Sequence, residues 1–445
     1  MSARTLAAAV ALAAAVWLPV SAQAMEKKLV VVTSFPKDLT SVFKRAFEKK
    51  HPGVKVDMLK KKTTAGVKYL QETAANNTSD IFWASAPDAF EVLKGDGLLA
   101  KYQVKAKGIP DKIGAFPLND PDGYYKGFAA SGYGIMWNTR YLKAKKLPEP
   151  KEWEDLARPV YFNHVGMSAP SRSGTTHLTV ETVLQGLGWE KGWALWKAIG
   201  GNLKTVTERS FGVPSGVNSG EFGIGIVIDF FGFSSKATGY PVEFRYPSTT
   251  ALVPANIAIV KNAPHPRAAA AFIEFVLSPE GQELLLDPKI QRLPVRPELY
   301  ESKAKHLPNP FKGEIAAKVA FDVKKSKARY NVVNSLFDVM ITYRLNDLKA
   351  ATKAIHEAEA ALKARPNAEA EKLLAQARAL VAAVPIDEAK SLDPAFAGIF
   401  KKKRKKATDK ITGRQAEIEQ QWDAMVKANY EKARELAQKA KSMAQ

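Results

Sequence analysis

The chain has 445 residues, no cysteine, and a formal net charge of +21 from 66 Lys and Arg against 45 Asp and Glu. Without cysteine it can form no disulfide framework, thiolate zinc site, iron–sulfur cluster or cysteine nucleophile. The 46% hydrophobic and 25% charged fractions are typical of globular proteins, and the length predicts roughly two or three domains. The positive charge favours acidic partners, which include nucleic acid, an anionic membrane surface and small anions.

The N-terminus has the pattern of a secretory signal peptide. Arg4 precedes an apolar stretch at 6–20, and small residues with A-x-A spacing follow at Ala22 and Ala24. An uncleaved anchor is the alternative, but the stretch is shorter than the about 20 residues that a spanning helix needs. We therefore expect a signal peptide at 1–24, cleavage after Ala24, and a mature chain in the periplasm that binds no nucleic acid.

Alternating strand and helix patterns follow the signal peptide. The segment 28–59 has the pattern of a strand, an amphipathic helix and a second strand, and a further apolar strand lies within 79–86. This order predicts an α/β fold with a parallel sheet. Because such sheets bind ligands beyond the carboxyl ends of their strands, Ser34 and Ser85 are candidate ligand contacts.

A second α/β block follows a glycine-rich strand at 124–138, whose length suits a segment that crosses the protein. The apolar runs in this block predict that the sheet continues. The expected elements are a strand at 159–162, a loop at 169–177, a helix ending at Leu187, an aromatic helix at 190–199, and strands within 222–231 and 250–260.

The C-terminal third has a different composition. Residues 301–445 are rich in Ala, Lys, Glu and Leu, and their periodicity predicts long helices at 345–364, 368–384 and 411–443. The strongest charge run begins at Lys401 and ends at Lys406. A solvated linker is one interpretation of this run, and contact with an anionic membrane surface or an acidic partner protein is the other.

Hydroxyl side chains, an arginine and a glycine precede the helix predicted after Gly174. The N-terminus of a helix exposes unpaired amides and about half a positive charge, so it can hold phosphate or carboxylate. An ordinary capped helix is the alternative. Arg209 and Ser210 occupy a similar loop and are predicted to contribute to the same anion site.

The sequence lacks the common enzyme motifs. It contains no P-loop, H-E-x-x-H or G-x-S-x-G motif and no dinucleotide-binding glycine pattern. His177 lies close to hydroxyl residues, but we interpret it as a structural histidine rather than a base. The six histidines have no metal-ligand spacing. We therefore expect no enzymatic activity, no cofactor and no bound metal.

Four segments together resemble periplasmic solute-binding proteins of the ferric-ion, phosphonate and phosphosugar group of ABC transporters. They are DIFWAS at 80–85, GYGIMWNT at 132–139, PSRSGT at 170–175 and LSPEGQ at 277–282. The similarity covers about residues 27–300. Within that group, the run 192–231 resembles the phosphoglycerate transport regulatory type.

The resemblance implies a two-lobed type II periplasmic-binding-protein fold with hinge strands, plus an α-helical C-terminal extension. The ligand would bind between the lobes, which close by hinge bending. The expected divisions are lobe 1 at 25–130 and 247–300, lobe 2 at 131–246, and a basic extension at 301–445.

The resemblance also bears on the cargo. Ferric members of the group have adjacent tyrosines where this chain has Phe230 and Phe231, and an acidic iron ligand at or near the position of Ser85. The usual ferric ligand set is therefore missing. The retained arginines and hydroxyls favour a metabolite carrying phosphate or carboxylate. Phe35 and Phe230 would pack on its organic part, and Asp229 would accept its hydrogen bonds or cap the strand end.

We expect a monomeric binding protein that delivers a small anionic metabolite to an ABC transporter permease. The alternatives are a ligand-binding partner of a membrane sensor histidine kinase, a ferric-ion-binding protein with non-standard ligands, and an exported hydrolase. The predicted ligand contacts are Ser34, Phe35, Ser85, Ser171, Arg172, Ser173, Gly174, Thr175, Thr176, Arg209, Ser210, Asp229 and Phe230.

Overall fold

The computed structural model describes residues 24–113, 116–315, 317–400 and 411–444. The predicted signal peptide, except for Ala24, and the basic run from Lys401 to Lys406 lie outside the described residues. No helix within the described ranges combines the length and apolar character needed to cross a membrane.

Short, mostly buried strands form the sheets. They are β1 (Lys28–Thr33), β2 (Lys55–Lys60), β3 (Ile81–Ala84), β4 (Leu99–Ala100), β5 (Lys112–Ile113), β6 (Phe116–Pro117), β7 (Lys126–Asn138), β8 (Val165–Ser168), β9 (Leu203–Thr207), β10 (Ile224–Ile228), β11 (Val242–Arg245), β12 (Leu252–Val260) and β13 (Leu293–Pro294).

Helices cover the sheet and form the C-terminal third. They are α1 (Lys37–Lys50), α2 (Thr63–Glu72), α3 (Pro87–Gly95), α4 (Thr139–Lys145), α5 (Gly174–Leu187), α6 (Trp189–Gly201), α7 (Gly212–Ser219), α8 (Asp229–Ala237), α9 (Pro266–Leu277), α10 (Pro279–Glu283), α11 (Glu298–Ser302), α12 (Val323–Phe337), α13 (Leu345–Ala364), α14 (Ala368–Ala382), α15 (Glu388–Leu392), α16 (Pro394–Ala397) and α17 (Arg414–Met443).

The principal sheet has the strand order β2-β1-β3-β12-β7-β10-β8-β9. β1, β2 and β3 are parallel to one another, and so are β8, β9 and β10. β7 lies between the two groups: its first part pairs with β12 and its second part with β10 and β11. We call the β1–β2–β3–β12 group with its helices lobe 1, and the β8–β9–β10 group with its helices lobe 2. Their predicted residue boundaries stay predictions.

Three clusters of buried apolar residues stabilise the described part of the chain. In lobe 1, Trp83 lies against the rings of Phe35, Phe43, Phe128 and Phe272 in edge or tilted contacts. The largest cluster joins the core of lobe 2 to the C-terminal helices, because α13 and α14 pack on α6 and α17 packs on both, and it also includes Phe82 and Phe90 on one face of lobe 1. The basic extension therefore shares its apolar core with lobe 2.

Local sequence explains most helix starts. Ser173 caps α5 by accepting the amide hydrogen of Thr176 at 3.2 Å, and Asp322 caps α12 in the same way from Lys325 at 3.0 Å. The strand predicted at 159–162 is wrong: Pro159–Tyr161 is a 3-10 turn, and the strand begins at Val165. Pro159 favours the turn because its fixed φ suits the first position of a helical turn, where no amide partner is needed.

Candidate functional site

The carboxyl ends of six strands from both lobes converge on one pocket. Segments following β1, β2 and β3 contribute from lobe 1, and segments following β8, β9 and β10 contribute from lobe 2. This is the edge at which open parallel sheets bind ligands. The lining residues are Ser34, Phe35, Pro36, Lys62, Thr63, Ser85, Arg172, Ser173, Thr175, Arg209, Ser210, Phe211, Phe230, Phe231 and Arg292.

Most of the predicted ligand contacts are therefore brought together. They are Ser34, Phe35, Ser85, Arg172, Ser173, Thr175, Arg209, Ser210 and Phe230. Four side chains of the lining are cationic, namely Lys62, Arg172, Arg209 and Arg292, and none of the described residues in the lining is acidic. The pocket thus combines positive charge with hydroxyl donors, which is the chemistry that recognises phosphate or carboxylate.

Arg292 forms the floor of the pocket, and the sequence analysis missed it. Its side chain is fully buried and lies between the rings of Phe35 and Phe230, with its guanidinium carbon 4.5 and 3.8 Å from their centroids. The guanidinium donates to Ser85 Oγ at 3.3 Å and to Ser131 Oγ at 3.4 Å. Its Nε has no hydrogen-bond partner among the residues that the structure describes.

The charge of Arg292 is incompletely compensated. Burial lowers the pKa of Arg292 to about 9, although the attraction of Asp229 opposes this shift. The guanidinium therefore remains protonated at neutral pH. A buried charge without full pairing is costly, so an anion placed in this pocket would gain from the interaction with Arg292.

A carboxylate links the lobes at the rim of the pocket. Glu208 contacts Lys62 of lobe 1 and Arg172 of lobe 2, each at 2.5 Å. Both cations lower the pKa of Glu208, although partial burial acts in the opposite direction and is the largest single influence. Because the Glu208 carboxylate is 59% exposed, solvent screens these ion pairs. The contact nevertheless shows that the lobes are closed at this edge.

The structure places Ser171, Gly174, Thr176 and Asp229 outside the pocket lining. Ser171 faces α12 and lines a small cavity beside Asp338, since the 3-10 turn Pro170–Arg172 directs neighbouring side chains to different sides. Gly174 lies against lobe 1. Thr176 contributes its amide to the Ser173 cap. These residues support the pocket wall, and their direct contact with a ligand stays a prediction.

Asp229 is a structural carboxylate in this conformation. It accepts hydrogen bonds from the amides of Gly132 and Phe230, both at 2.7 Å, and from the hydroxyl of Tyr246 at 2.9 Å. Burial raises the pKa of Asp229 to about 6, and these hydrogen bonds oppose the rise. The carboxylate therefore joins β7, the start of α8 and the segment between β11 and β12 that contains Tyr246.

The N-terminus of α5 lies beside the pocket. Ser173 Oγ satisfies the amide of Thr176, but the amides of Gly174 and Thr175 lie in the first turn, where a helix offers no acceptor of its own. The side chains of Ser173 and Thr175 line the pocket. Helix geometry thus adds amide donors and a partial positive charge to the arginines.

Two connected spaces differ in size. The inner pocket encloses about 40 Å³. At about 10–15 Å³ for each water position, this is room for roughly three or four oxygen-sized atoms. An outer groove of about 530 Å³ shares Pro36, Phe211, Phe230 and Phe231 with the inner pocket. It also exposes Asp38, Lys60 and Lys289.

Comparison with known proteins gives consistent matches. Residues 76–313 match the family profile of bacterial extracellular solute-binding proteins. The phosphoglycerate transport regulatory protein PgtC of Salmonella typhimurium is 33% identical over 391 residues, which cover 86% of this chain and 92% of that protein.

Two solved structures share the fold. The periplasmic binding protein AfuA from Actinobacillus pleuropneumoniae, with exogenous fructose-6-phosphate bound, has a TM-score of 0.61 at 20% identity, covering 71% of this chain and 98% of that one. A two-component system protein that mediates signal transduction has a TM-score of 0.53 at 19% identity, covering 67% of this chain and 97% of that one.

Proposed function

Because the chain belongs to the bacterial extracellular solute-binding protein family, we propose that it captures a small metabolite bearing phosphate or carboxylate and delivers it to an ABC transporter permease. The observation that carries this proposal is Arg292, a buried and incompletely paired guanidinium on the floor of a pocket without acidic lining residues. In a water-poor pocket, an anion gains more from such a cation than it would in solution.

The dimensions support a phosphate group at the inner end of the ligand. The inner pocket has room for roughly the oxygens of one phosphate group. Arg172 and Arg209 flank that space, and guanidinium groups bind such oxyanions in bidentate geometry. The organic part would extend between Phe211, Phe230 and Phe231 into the outer groove. The relative PgtC is named for phosphoglycerate, and the AfuA structure holds fructose-6-phosphate.

Ferric ion is disfavoured as the cargo by the donor set. Hard cations require carboxylate, phenolate or similar oxygen ligands. The lining residues at the relevant positions are Ser85, Phe230 and Phe231, and the pocket instead holds guanidinium groups that repel a cation. Within the described ranges, no cluster of three or more His, Asp or Glu side chains has the arrangement of a metal site.

A sensory role is the second candidate. The relative PgtC is named a regulatory protein, and one structural neighbour belongs to a two-component system. In this role the loaded protein would contact a membrane sensor kinase instead of, or in addition to, a permease. The same pocket chemistry would serve both roles. The partner, the domain boundaries and the membrane contact of the run from Lys401 to Lys406 are proposals.

Calorimetric titration of the mature chain tests the ligand class. The panel is 3-phosphoglycerate, fructose-6-phosphate, inorganic phosphate, glycerate and ferric citrate. We expect binding of a phosphorylated or carboxylated compound and at least tenfold weaker binding in Arg209→Gln, which removes a partly exposed pocket cation. Arg245→Gln is the matched control, because Arg245 is exposed on β11 outside the pocket. Binding of ferric ion alone, or equal losses in both variants, would overturn the proposal.

A further inference from the structure

Helix α12 of the C-terminal extension packs on both lobes. It contacts α3 of lobe 1, and it contacts α5 and the turn Pro170–Arg172 of lobe 2. That turn carries Arg172, a cationic residue of the pocket wall. The helix therefore bridges two bodies that a binding protein moves relative to one another during closure.

A fully buried polar cluster forms the contact with lobe 1. Ser326 of α12 donates to Asp88 Oδ2 of α3 at 2.9 Å. The Nε2 atom of His177, which lies on α5, is 3.2 Å from the same oxygen and 3.1 Å from Ser326 Oγ. Its Nδ1 is 2.8 Å from the side-chain oxygen of Asn334 on α12. One cluster thus joins lobe 1, lobe 2 and the extension.

Separate contacts attach α12 firmly to lobe 2. Arg329 is fully buried and binds both carboxylate oxygens of Glu181 on α5, at 2.8 and 2.9 Å. It also binds Glu388 of α15 at 2.7 Å. Beyond the end of α12, Asp338 lines the same small cavity as Ser171, next to Arg172. Because α12 is held to lobe 2 in this way, an opening of the lobes would separate it from Asp88.

We propose that Asp88, His177 and Ser326 are positioning residues for ligand binding: their contacts hold the lobes in the closed arrangement, in the ligand-free equilibrium as well as with ligand, and seat α12 against lobe 1. This inference rests on the proposed function only in assuming that the lobes close on a ligand. Opening would exchange these hydrogen bonds for bonds to water, so the closed form gains the net value of each bond, about 1 kcal/mol or fivefold in the equilibrium constant. By linkage, contacts that favour closure increase the apparent affinity for any ligand of the closed form.

Two serines of α12 provide a matched test in the full mature chain. Ser326→Ala removes the hydroxyl that contacts lobe 1. Ser335→Ala removes a hydroxyl on the same helix that bonds Glu419 of α17 instead, at 2.6 Å. We expect 3-phosphoglycerate to bind about fivefold more weakly to Ser326→Ala, the value of one net hydrogen bond. Binding to Ser335→Ala should stay within about twofold of the unsubstituted chain.

A ligand-free measurement separates this inference from the ligand assignment. Spin labels at Asn76→Cys in lobe 1 and Glu221→Cys in lobe 2, both exposed positions, report the distance between lobes. The cysteine-free sequence makes the labelling specific. We expect Ser326→Ala to move the ligand-free distance distribution away from the closed arrangement relative to the unsubstituted chain, while Ser335→Ala does not.

Identical distributions in all three proteins would overturn the inference, even if 3-phosphoglycerate binds. Absence of 3-phosphoglycerate binding together with a Ser326→Ala shift would instead count against that ligand alone. Asp88→Asn changes the same contact from the side of lobe 1 and should reproduce the shift. Agreement between the two variants would show that the shift does not arise from a folding defect of Ser326→Ala. A distance distribution in Asp88→Asn that equals that of the unsubstituted chain would also contradict the inference.

Discussion

Replacing Gly174 by alanine tests whether the lobes meet around the ligand as they do in this structure. Gly174 begins α5 in lobe 2, and a methyl group there would lie 2.9 Å from the Cβ of Ala86 and 3.1 Å from Thr63, both in lobe 1. Ordinary van der Waals contacts between carbon atoms are about 3.5–4.0 Å. The substitution therefore overpacks the interface between the closed lobes.

The magnitude follows from the cost of overpacking. An extra methyl in a filled space costs about 1–3 kcal/mol, which corresponds to about 5- to 150-fold in ligand affinity. In the ligand-free chain the sign should be opposite, because alanine favours a helix over glycine by up to about 1 kcal/mol. The substitution should thus lower the affinity for ligand, because it disfavours the closed lobes, while the thermal stability of the ligand-free protein stays constant or rises.

Calorimetric titration with 3-phosphoglycerate and thermal unfolding without ligand give the two measurements. Ala86→Gly removes the nearest opposing carbon, so adding it to Gly174→Ala should restore part of the affinity. An affinity within twofold of the unsubstituted chain would refute the reasoning. So would a loss of affinity that is accompanied by an equal loss of ligand-free stability, since that would indicate damage to lobe 2.

Two further predictions concern basic side chains that are buried where the C-terminal extension packs on lobe 2. Lys197 is fully buried, and desolvation lowers its pKa to about 7, so the unfolded chain binds more protons than the folded chain between about pH 7 and 10. The free energy of unfolding should rise with pH by up to about 1.4 kcal/mol per pH unit over this window. Lys197→Met should reduce that slope when unfolding by urea is measured at pH 7, 8 and 9. Equal slopes in the two proteins would contradict the prediction. Arg329→Met should destabilise the chain by about 3–5 kcal/mol because it leaves Glu181 buried without its partner, and adding Glu181→Leu should recover part of the loss. A double variant as unstable as the single one in the same urea assay would show that the unpaired carboxylate is not the cause.

The sequence predicted the features that follow from local patterns. The two-lobed α/β fold and the solute-binding family are confirmed, and so are the C-terminal helices. The aromatic helix predicted at 190–199 is found as α6, and its Trp193 and Trp196 lie in the core. Most candidate contacts were identified because they follow strand ends, and the topology of a parallel sheet places those ends together.

The features that the sequence did not predict depend on contacts between distant segments. Arg292 follows an irregular stretch and reaches the pocket because β13 pairs with β7, which places Leu293 beside Ala130. The pairing of β13 with β7 cannot be predicted from a periodic pattern in the sequence. Helix α12 was missed because Ser326, Arg329 and Asn334 interrupt its buried face, which weakens the apolar periodicity.

The long strand β7 has a consequence for how this molecule can vary. It is 13 residues long, almost entirely buried, and paired with lobe 1 along its first part and with lobe 2 along its second part. Because neighbouring side chains of a strand point to opposite faces, deletion of one residue near Gly132 would invert every side chain on one side of the deletion. One lobe or the other would then present its apolar residues to the wrong layer, so insertions and deletions here should be far less tolerated than substitutions.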